Sequence, residues 1–447
     1  MNLFSFNSGA SPAQMIDRIV GQYARFGVNL GLETSITLLA ALKNPQKKIP
    51  IIHVAGSNGK GSVCAYVASI LAAAGYRVGR YTSPHLVNWN ERICINDRPI
   101  ADQDLITALR VVESNIPKGL EPTQFEVFTA AMWLYFAQQK VDIAVIEVGL
   151  GGRLDATNVV DDPLVSIITS ISLEHTERLG DTLGKIAFEK AGIIKSGVPV
   201  VIGEMPSEAS AVISRKAYES YSPMSFPKPA IAQGNGWAIY DGFELFDIED
   251  EGVALVPRTL TFEMPLQGNV QLSNVSLAVT AILLLRQDGW EISDEAIATG
   301  IAKTQWIGRL QWYNWRGSKI LLDGAHNADS VQVLRSFLDE QPAGSTSGKT
   351  HWVMGMLATK DHRSMLETLL RSGDSVYFTP VPGHQSANLA DLVTLAKSIR
   401  SDLTRVWVFD EITRALQAAI DETEKGDRVV MCGSLYLLGA FLAGERG

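Results

Sequence analysis

The run His53-Val54-Ala55-Gly56-Ser57-Asn58-Gly59-Lys60-Gly61-Ser62 constrains the fold of this 447-residue chain more than any other stretch. An apolar segment, Ile51–Ala55, passes through a glycine-rich turn into a helical pattern, Lys60–Ala74. That order reads as strand, turn and helix. Glycines let backbone N–H groups crowd around phosphate oxygens, and the helix N-terminus adds partial positive charge. Lys60 can reach terminal phosphates, and Ser62 can touch a magnesium ion or its water. Ser57, Asn58, Gly59 and Gly61 complete the candidate ATP-binding loop. The run departs from G-x-x-x-x-G-K-[ST]: Gly61 follows the lysine, and Val54 stands where the first glycine is expected. The competing reading is an unrelated glycine turn at a helix start.

Strand-like and helical patterns alternate on either side of this run. Arg77–Tyr81, Val141–Val148 and Val165–Ser170 read as strands, Phe125–Gln139 and Thr182–Ile194 as helices. Such alternation implies a mostly parallel sheet with helices on both faces. Residues Ala230–Pro265, rich in glycine and aromatics, read as short antiparallel strands. Gln271–Leu285 follows as a long helix and Asp294–Ala302 as a short one. After a linker at 304–308 the alternation restarts, with strands expected at Lys319–Leu322, His351–Gly355, Ser375–Thr379, Arg405–Phe409 and Arg428–Cys432. The expected fold is α/β: a P-loop NTPase-like domain with a mostly parallel sheet (1–303), then a smaller Rossmann-like domain (309–447). The stretch Gly344–Lys349 reads as a surface loop.

Composition narrows the function. Hydrophobic residues at 46% and charged residues at 19% give a globular balance. A net charge of −9 argues against broad nucleic-acid binding, though local lysines and arginines can still hold anionic substrates. Cys64, Cys94 and Cys432 are far apart without CxxC spacing, which disfavours a disulfide framework or zinc site and fits a reducing cytosol. Met1–Gln14 lacks the basic start and apolar run of a signal peptide. No stretch is expected to reach the ~18 apolar residues of a membrane span. Tyr436–Ala443 reads as a buried helix.

Candidate metal ligands fall at strand ends, where ligands collect in open α/β sheets. Glu147 ends an apolar strand, where a charge is costly unless paired or metal-bound. His175 lies past the next strand and, paired with Glu147 on a neighbouring strand end, becomes a plausible ligand for a hard ion or its water; otherwise it is a solvated loop histidine. Ser83 follows Arg77–Tyr81 and is either a further oxygen donor or an ordinary turn hydroxyl. Carboxylate, imidazole and hydroxyl suit magnesium shared with substrate phosphates. Lys190, on a helix with an apolar face, has the bland reading of a snorkelling surface lysine. Gly149–Asn158 reads as a polar loop whose bland role is a flexible connection.

Taken together, Val54–Ser62, Tyr81–Ile93, Glu147–Asn158 (EVGLGGRLDATN), Leu173–Gly180, Lys190–Lys195, Asp323–Asn327 (DGAHN) and Gly433-Ser434-Leu435-Tyr436 resemble the folylpolyglutamate synthase and dihydrofolate synthase family of the Mur ligase superfamily. The resemblance covers nearly the whole chain. It implies one or two Mg2+ ions, with Ser83, Glu147 and His175 as ligands, and a Lys190 that is carbamylated and helps hold the second metal. It also implies catalytic roles for Lys60, Lys190 and His326. Asn274, Arg309 and Asp323 would contact ATP. Leu154, Asp155 and Ala156, with Thr123, Gln124, Phe125 and Glu126, would hold the pterin-bearing acceptor; Phe125 would stack on the ring unless it is simple helix core. His326 is otherwise a helix-cap neighbour.

The implied enzyme is a cytoplasmic monomer that ligates L-glutamate to dihydropteroate and to tetrahydrofolates at the expense of ATP, with no nucleic acid or membrane partner. Three rivals stand beside it. One is a folylpolyglutamate synthase alone. Another is a Mur-type UDP-muramyl ligase, whose extra N-terminal domain has no room before a phosphate loop near residue 56. The last is a P-loop ATPase that makes no bond.

Overall fold

The computed structural model describes residues 11–24, 31–248, 252–340 and 348–446. Residues 344–347 of the expected surface loop, and 1–10 of the N-terminal segment, lie outside them. The chain divides into two compact units: Met1–Pro265 with Leu272–Thr304, and Leu266–Gln271 with Gln305–Gly447.

The first unit is built on β1 (Ile51–Ala55), β2 (Val78–Tyr81), β3 (Ile93–Ile95), β4 (Arg98–Pro99), β5 (Ile143–Glu147), β6 (Val165–Ile168), β7 (Val200–Ile202), β8 (Met224–Pro227), β9 (Ile231–Gly234), β10 (Trp237–Asp247) and β11 (Gly252–Glu263). They form one sheet in the order β11-β10-β8-β7-β6-β1-β5-β2-β3-β4, with β9 paired to β10. The run β8-β7-β6-β1-β5-β2 is parallel. β3 and β4 at one end, and β10 and β11 at the other, pair antiparallel. Every residue of β1, β5 and β6 is buried, as expected for strands covered on both faces. The register sets Val54 opposite both Glu147 and Ile167, so the turn after β1 emerges level with the end of β5.

The helix Lys60–Ala73 buries Ser62 through Leu71 without interruption. Close packing explains this. Helix Asp294–Lys303 approaches so closely that a Cβ on Gly300 would overlap the Ile70 backbone. The Ser69 hydroxyl donates to the Gly300 carbonyl at 2.6 Å.

Two expectations need correction. β10 and β11 are long, 11 and 12 residues, because they form one extended hairpin instead of several short strands. Helix Asn269–Gln287 is long and apolar enough, by length and composition, to cross a membrane; 72% of its most apolar window is buried inside the protein, as in a core helix.

The second unit holds β12 (Gln311–Trp315), β13 (Ser318–Leu322), β14 (Thr350–Met354), β15 (Ser375–Phe378), β16 (Arg405–Val408) and β17 (Arg428–Cys432), in the order β12-β13-β17-β14-β15-β16. All neighbours are parallel except β12, an antiparallel edge strand that the sequence reading did not contain. Helix Leu435–Arg446 includes the expected buried segment, with Leu437, Leu438 and Phe441 inside. Asp374 braces this sheet from below, accepting from Thr350 N–H (2.9 Å) and Trp352 Nε1–H (2.9 Å).

Gly300→Val should destabilise the first unit by about 2 kcal/mol or more, because neither helix can yield without repacking. Denaturant unfolding monitored by tryptophan fluorescence checks this.

Candidate active site

The turn after β1 is held from one side. Ser57 N–H donates to the Ser170 carbonyl (2.7 Å) and Asn58 N–H to Ser170 Oγ (3.2 Å). Thr169 Oγ1 donates to the Asn58 carbonyl at 2.6 Å. These residues follow β6, so the carboxyl end of one strand fixes the loop leaving its neighbour. Gly56 (φ 145°) has no room for a side chain, since a Cβ would overlap Thr169 Oγ1. Gly59 (φ 88°) caps helix Lys60–Ala73 and lies against the buried Asn274 amide. Lys60 curls back over the loop and donates to the Gly56 (2.8 Å) and Ser57 (3.1 Å) carbonyls. A pinned, glycine-dependent loop under a lysine has the geometry that can cradle a phosphate.

Lys190 reaches the same oxygen. Its Nζ donates to the Gly56 carbonyl at 2.8 Å and pairs with Glu174 Oε1 at 2.7 Å. With 2% of its surface exposed, Lys190 is no snorkelling lysine. Burial pulls its pKa down to about 8, against the upward pull of Glu174. Burial acts to raise the Glu174 pKa, but Lys190 and Lys60 hold the carboxyl at about 2. Both members of the pair are therefore charged at neutral pH.

The loop Gly149–Asn158 is anchored to the Lys190 helix, Leu183–Ala191, and is no flexible connection. Arg153 N–H donates to the Glu189 carbonyl (2.7 Å), and its guanidinium pairs with the Glu189 carboxylate (2.8 Å). Asn158 Nδ2 donates to the carbonyls of Arg153 (3.0 Å) and Gly192 (3.1 Å).

Asp155, expected to face the acceptor, is turned into its own loop. Oδ2 accepts from Leu150 N–H (2.8 Å), and Oδ1 accepts from Thr157 N–H (3.0 Å) and Oγ1–H (2.6 Å). Thr157 Oγ1 has given its only proton to Asp155, so it accepts from His53 Nε2 at 2.9 Å. Burial raises the Asp155 pKa and lowers that of His53 to about 3, which keeps the imidazole neutral.

The other half of the expected acceptor pocket does meet this loop. A Cβ on Gly149 would overlap the Phe125 ring, and Phe125 lies 6.2 Å from the Tyr81 ring. Phe125 and Leu154 are half-buried, and Ala156 is buried. Thr123 and Glu126 serve each other: they form the capping box of helix Gln124–Gln139, with Glu126 accepting from Thr123 N–H (2.7 Å) and Oγ1 (2.8 Å). Gln124 Nε2 donates to the Val20 carbonyl at 3.4 Å.

Glu147 is buried at the end of β5, and its Oε2 accepts from Ser83 N–H at 3.0 Å. His175 is exposed, with a left-handed backbone (φ 46°), at the start of helix Thr176–Leu179. The strands leading to Glu147 and His175 are not neighbours: β1 runs between β5 and β6. The carboxyl ends thus follow one another as the His175 segment, the phosphate loop, Glu147 and Ser83.

In the second unit, Asp323 follows β13 and is buried, accepting from Leu310 N–H (2.8 Å) and Ala325 N–H (2.9 Å). Burial raises its pKa and the nearby Arg309 charge opposes that. His326 is half-buried just before Asn327, the N-cap of helix Ala328–Asp339, with Nδ1 2.8 Å from the Gly324 carbonyl.

The Mur ligase middle-domain profile matches residues 54–282, and the dihydrofolate synthetase C-terminal domain profile matches 309–443. A folylpolyglutamate synthase from Lacticaseibacillus casei is 36% identical over 91% of this chain and 92% of its own length. A dihydrofolate synthase/folylpolyglutamate synthase from Bacillus subtilis is 34% identical over 93% and 94%. A crystal structure of a bifunctional folylpolyglutamate synthase/dihydrofolate synthase with Mn, AMPPNP and L-glutamate bound superposes with a TM-score of 0.79 at 30% identity, covering 97% of this chain and 98% of that one. The chain belongs to the folylpolyglutamate synthase/dihydrofolate synthase family. It is an ATP-dependent ligase.

The residues present fit what this family binds. The loop offers backbone N–H groups, and Lys60 above them, to a nucleotide. Among the described residues no three His, Cys, Asp or Glu side chains cluster as a metal cage. Glu147 beside the Ser83 turn instead makes an oxygen site that a hard cation would complete with phosphate and water. Sequence reasoning missed Glu174, Thr169, Ser170 and Thr157. Glu174 stood beside His175 in the same motif, but nothing local signalled that it pairs with a lysine 16 residues on.

Replacing Glu174 tests the buried pair. The depressed Glu174 pKa stabilises the fold above its ordinary value near 4.5, and that contribution is lost as pH falls through about 2. The stability gap between wild type and Glu174→Gln should therefore be full at pH 6 and shrink progressively below pH 4.5, as read by denaturant midpoints.

Proposed function

We propose that this ligase uses ATP to join the amine of L-glutamate to the acid group of dihydropteroate, giving dihydrofolate, and of reduced folates, giving folylpolyglutamates. The observation that carries it is the glycine-dependent loop after β1, pinned by Thr169 and Ser170 with Lys60 folded over it, level with Glu147 at the end of β5. A carboxylate is a poor acylating agent and must first be activated. The acceptor carboxylate attacks the γ-phosphate of ATP, forming an acyl phosphate and releasing ADP. The glutamate amine then attacks the acyl carbon, and phosphate leaves as the amide forms.

Lys60 offsets the charge of the transferring phosphoryl group. Ser57, Asn58, Gly59, Gly61 and Ser62 line the phosphates, with Asn274, Arg309 and Asp323 as further nucleotide contacts and His326 near the phosphates. Ser83, Glu147 and His175 would hold Mg2+, which would supply further charge neutralisation. Phe125, Leu154 and Ala156 make an apolar wall for the pterin-bearing acceptor, and Asp155, Thr123 and Glu126 brace that wall from behind. Lys190 takes up CO2 as a carbamate. Its burial supports this, because a pKa near 8 leaves about a tenth of the amine neutral at pH 7, although the pair with Glu174 must open first. We read the enzyme as a cytoplasmic monomer acting on small molecules. Its net charge of −9 and three unbonded, buried cysteines support that.

ADP release should depend on glutamate with dihydropteroate and with tetrahydrofolate, and be absent with a UDP-muramyl acceptor. Release with tetrahydrofolate alone would reduce the enzyme to a polyglutamate synthase. Acceptor-independent release would make it a simple ATPase.

Lys60→Ala should lower kcat/KM by about 100-fold or more with an unchanged far-UV spectrum, since the lysine acts on charge and not on packing. Mass spectrometry of active enzyme in bicarbonate should find Lys190 with added CO2; a plain amine there removes the carbamate.

A further inference from the structure

Outside the site just described, the first unit has an open cavity of about 640 Å3 behind the Lys190 helix. Its walls come from helices Thr176–Leu179, Leu183–Ala191 and Ser207–Glu219. Four cations, Arg178, Lys185, Arg215 and Lys216, line it beside two carboxylates, Glu189 and Glu219, leaving an excess of positive charge. In a chain of net charge −9 this concentration of positive charge is local and against the overall sign. Lys185 is paired with Asp181 (2.8 Å) and Arg215 with Glu219 (3.5 Å), both on solvent-exposed side chains where such pairs exchange readily.

The shape of the cavity selects among anions. The cations come from three separate helices around a large volume, which suits several dispersed carboxylates better than one compact phosphate. Between them lie apolar surfaces, Leu179 and a Phe188 that is 53% exposed, which suit methylene groups. Two wall residues also belong to the acceptor loop's support. Leu179 packs on Gly151, and Glu189 holds Arg153. Arg178 lies three residues past His175, and its N–H donates to the His175 carbonyl at 2.8 Å. The cavity is thus joined to the strand-end crevice through one short helix.

We propose that this cavity is a second binding site, for a flexible polycarboxylate. Given the reaction proposed above, on which this identification of the ligand rests, that polycarboxylate is the oligoglutamate tail of the product. Glutamate residues already added lie across Arg178 and Lys185 toward Arg215 and Lys216, while their aliphatic segments cover Phe188. The last carboxylate of the tail, the next to be activated, stays at the phosphate loop while the earlier glutamates occupy the cavity.

The test is calorimetric titration of the full chain with hexaglutamate carrying no pteroyl group, without ATP or acceptor. Citrate serves as a compact polycarboxylate. Hexaglutamate should bind more tightly than citrate. Arg215→Glu with Lys216→Glu should weaken it at least ten-fold, and so should Arg178→Glu on a different helix. Glutamate-dependent ADP release with unglutamylated acceptors should stay within two-fold of wild type in all variants. Absent hexaglutamate binding at millimolar concentration, or equal binding in wild type and both variants, overturns the site. If no folate acceptor supports ADP release while charge-sensitive hexaglutamate binding persists, the reaction is wrong and the polycarboxylate site stands.

Discussion

One carbonyl oxygen, that of Gly56, accepts hydrogen bonds from two ammonium groups at once, Lys60 and Lys190, each at 2.8 Å. Two like charges held on one acceptor repel each other, and Lys60 is among the influences that lower the Lys190 pKa. Glu174 compensates part of that repulsion from below. Once Lys190 carries CO2, the Lys60 charge still stands over a loop of backbone N–H groups, and a triphosphate would neutralise it. The glycine follows from the same arrangement: its carbonyl can be presented this way only because its α-carbon sits against Thr169 without a side chain.

Around this point the architecture works by making strand ends hold one another. Thr169 and Ser170, after β6, fix the phosphate loop after β1. Glu147, ending β5, receives the N–H of Ser83 after β2. The acceptor loop after β5 crosses to the Lys190 helix and is clamped there by Arg153 and Asn158. Movement of any one segment is therefore felt by the others, since these bonds are partly shielded from water.

Buried aspartates do much of the local bracing. Asp155, Asp323 and Asp374 each accept from two or more donors, some in their own turn and some distant in the chain. A carboxylate with several lone pairs satisfies N–H groups that a turn cannot pair internally. A buried aspartate in a motif can thus serve the scaffold, as the loop bonds of Asp155 illustrate.

The sequence determined the elements and their order. β1, for instance, runs over Ile51–Ala55 as its apolar pattern required, and Asp294–Lys303 exceeds its expected span by one residue. These follow from periodicity and from glycine and capping signals, which act over a few residues. It also determined the motif that marks the family, because a phosphate loop needs its glycines and lysine within one turn. The tertiary structure alone decided that Lys190 is buried and paired with Glu174, that Asp155 faces inward, that β1 separates the strands of Glu147 and His175, and that β12 adds an edge by antiparallel pairing. Each of these depends on which residues distant in the chain meet across the sheet, and side-chain burial and charge pairing are properties of that meeting, not of local pattern.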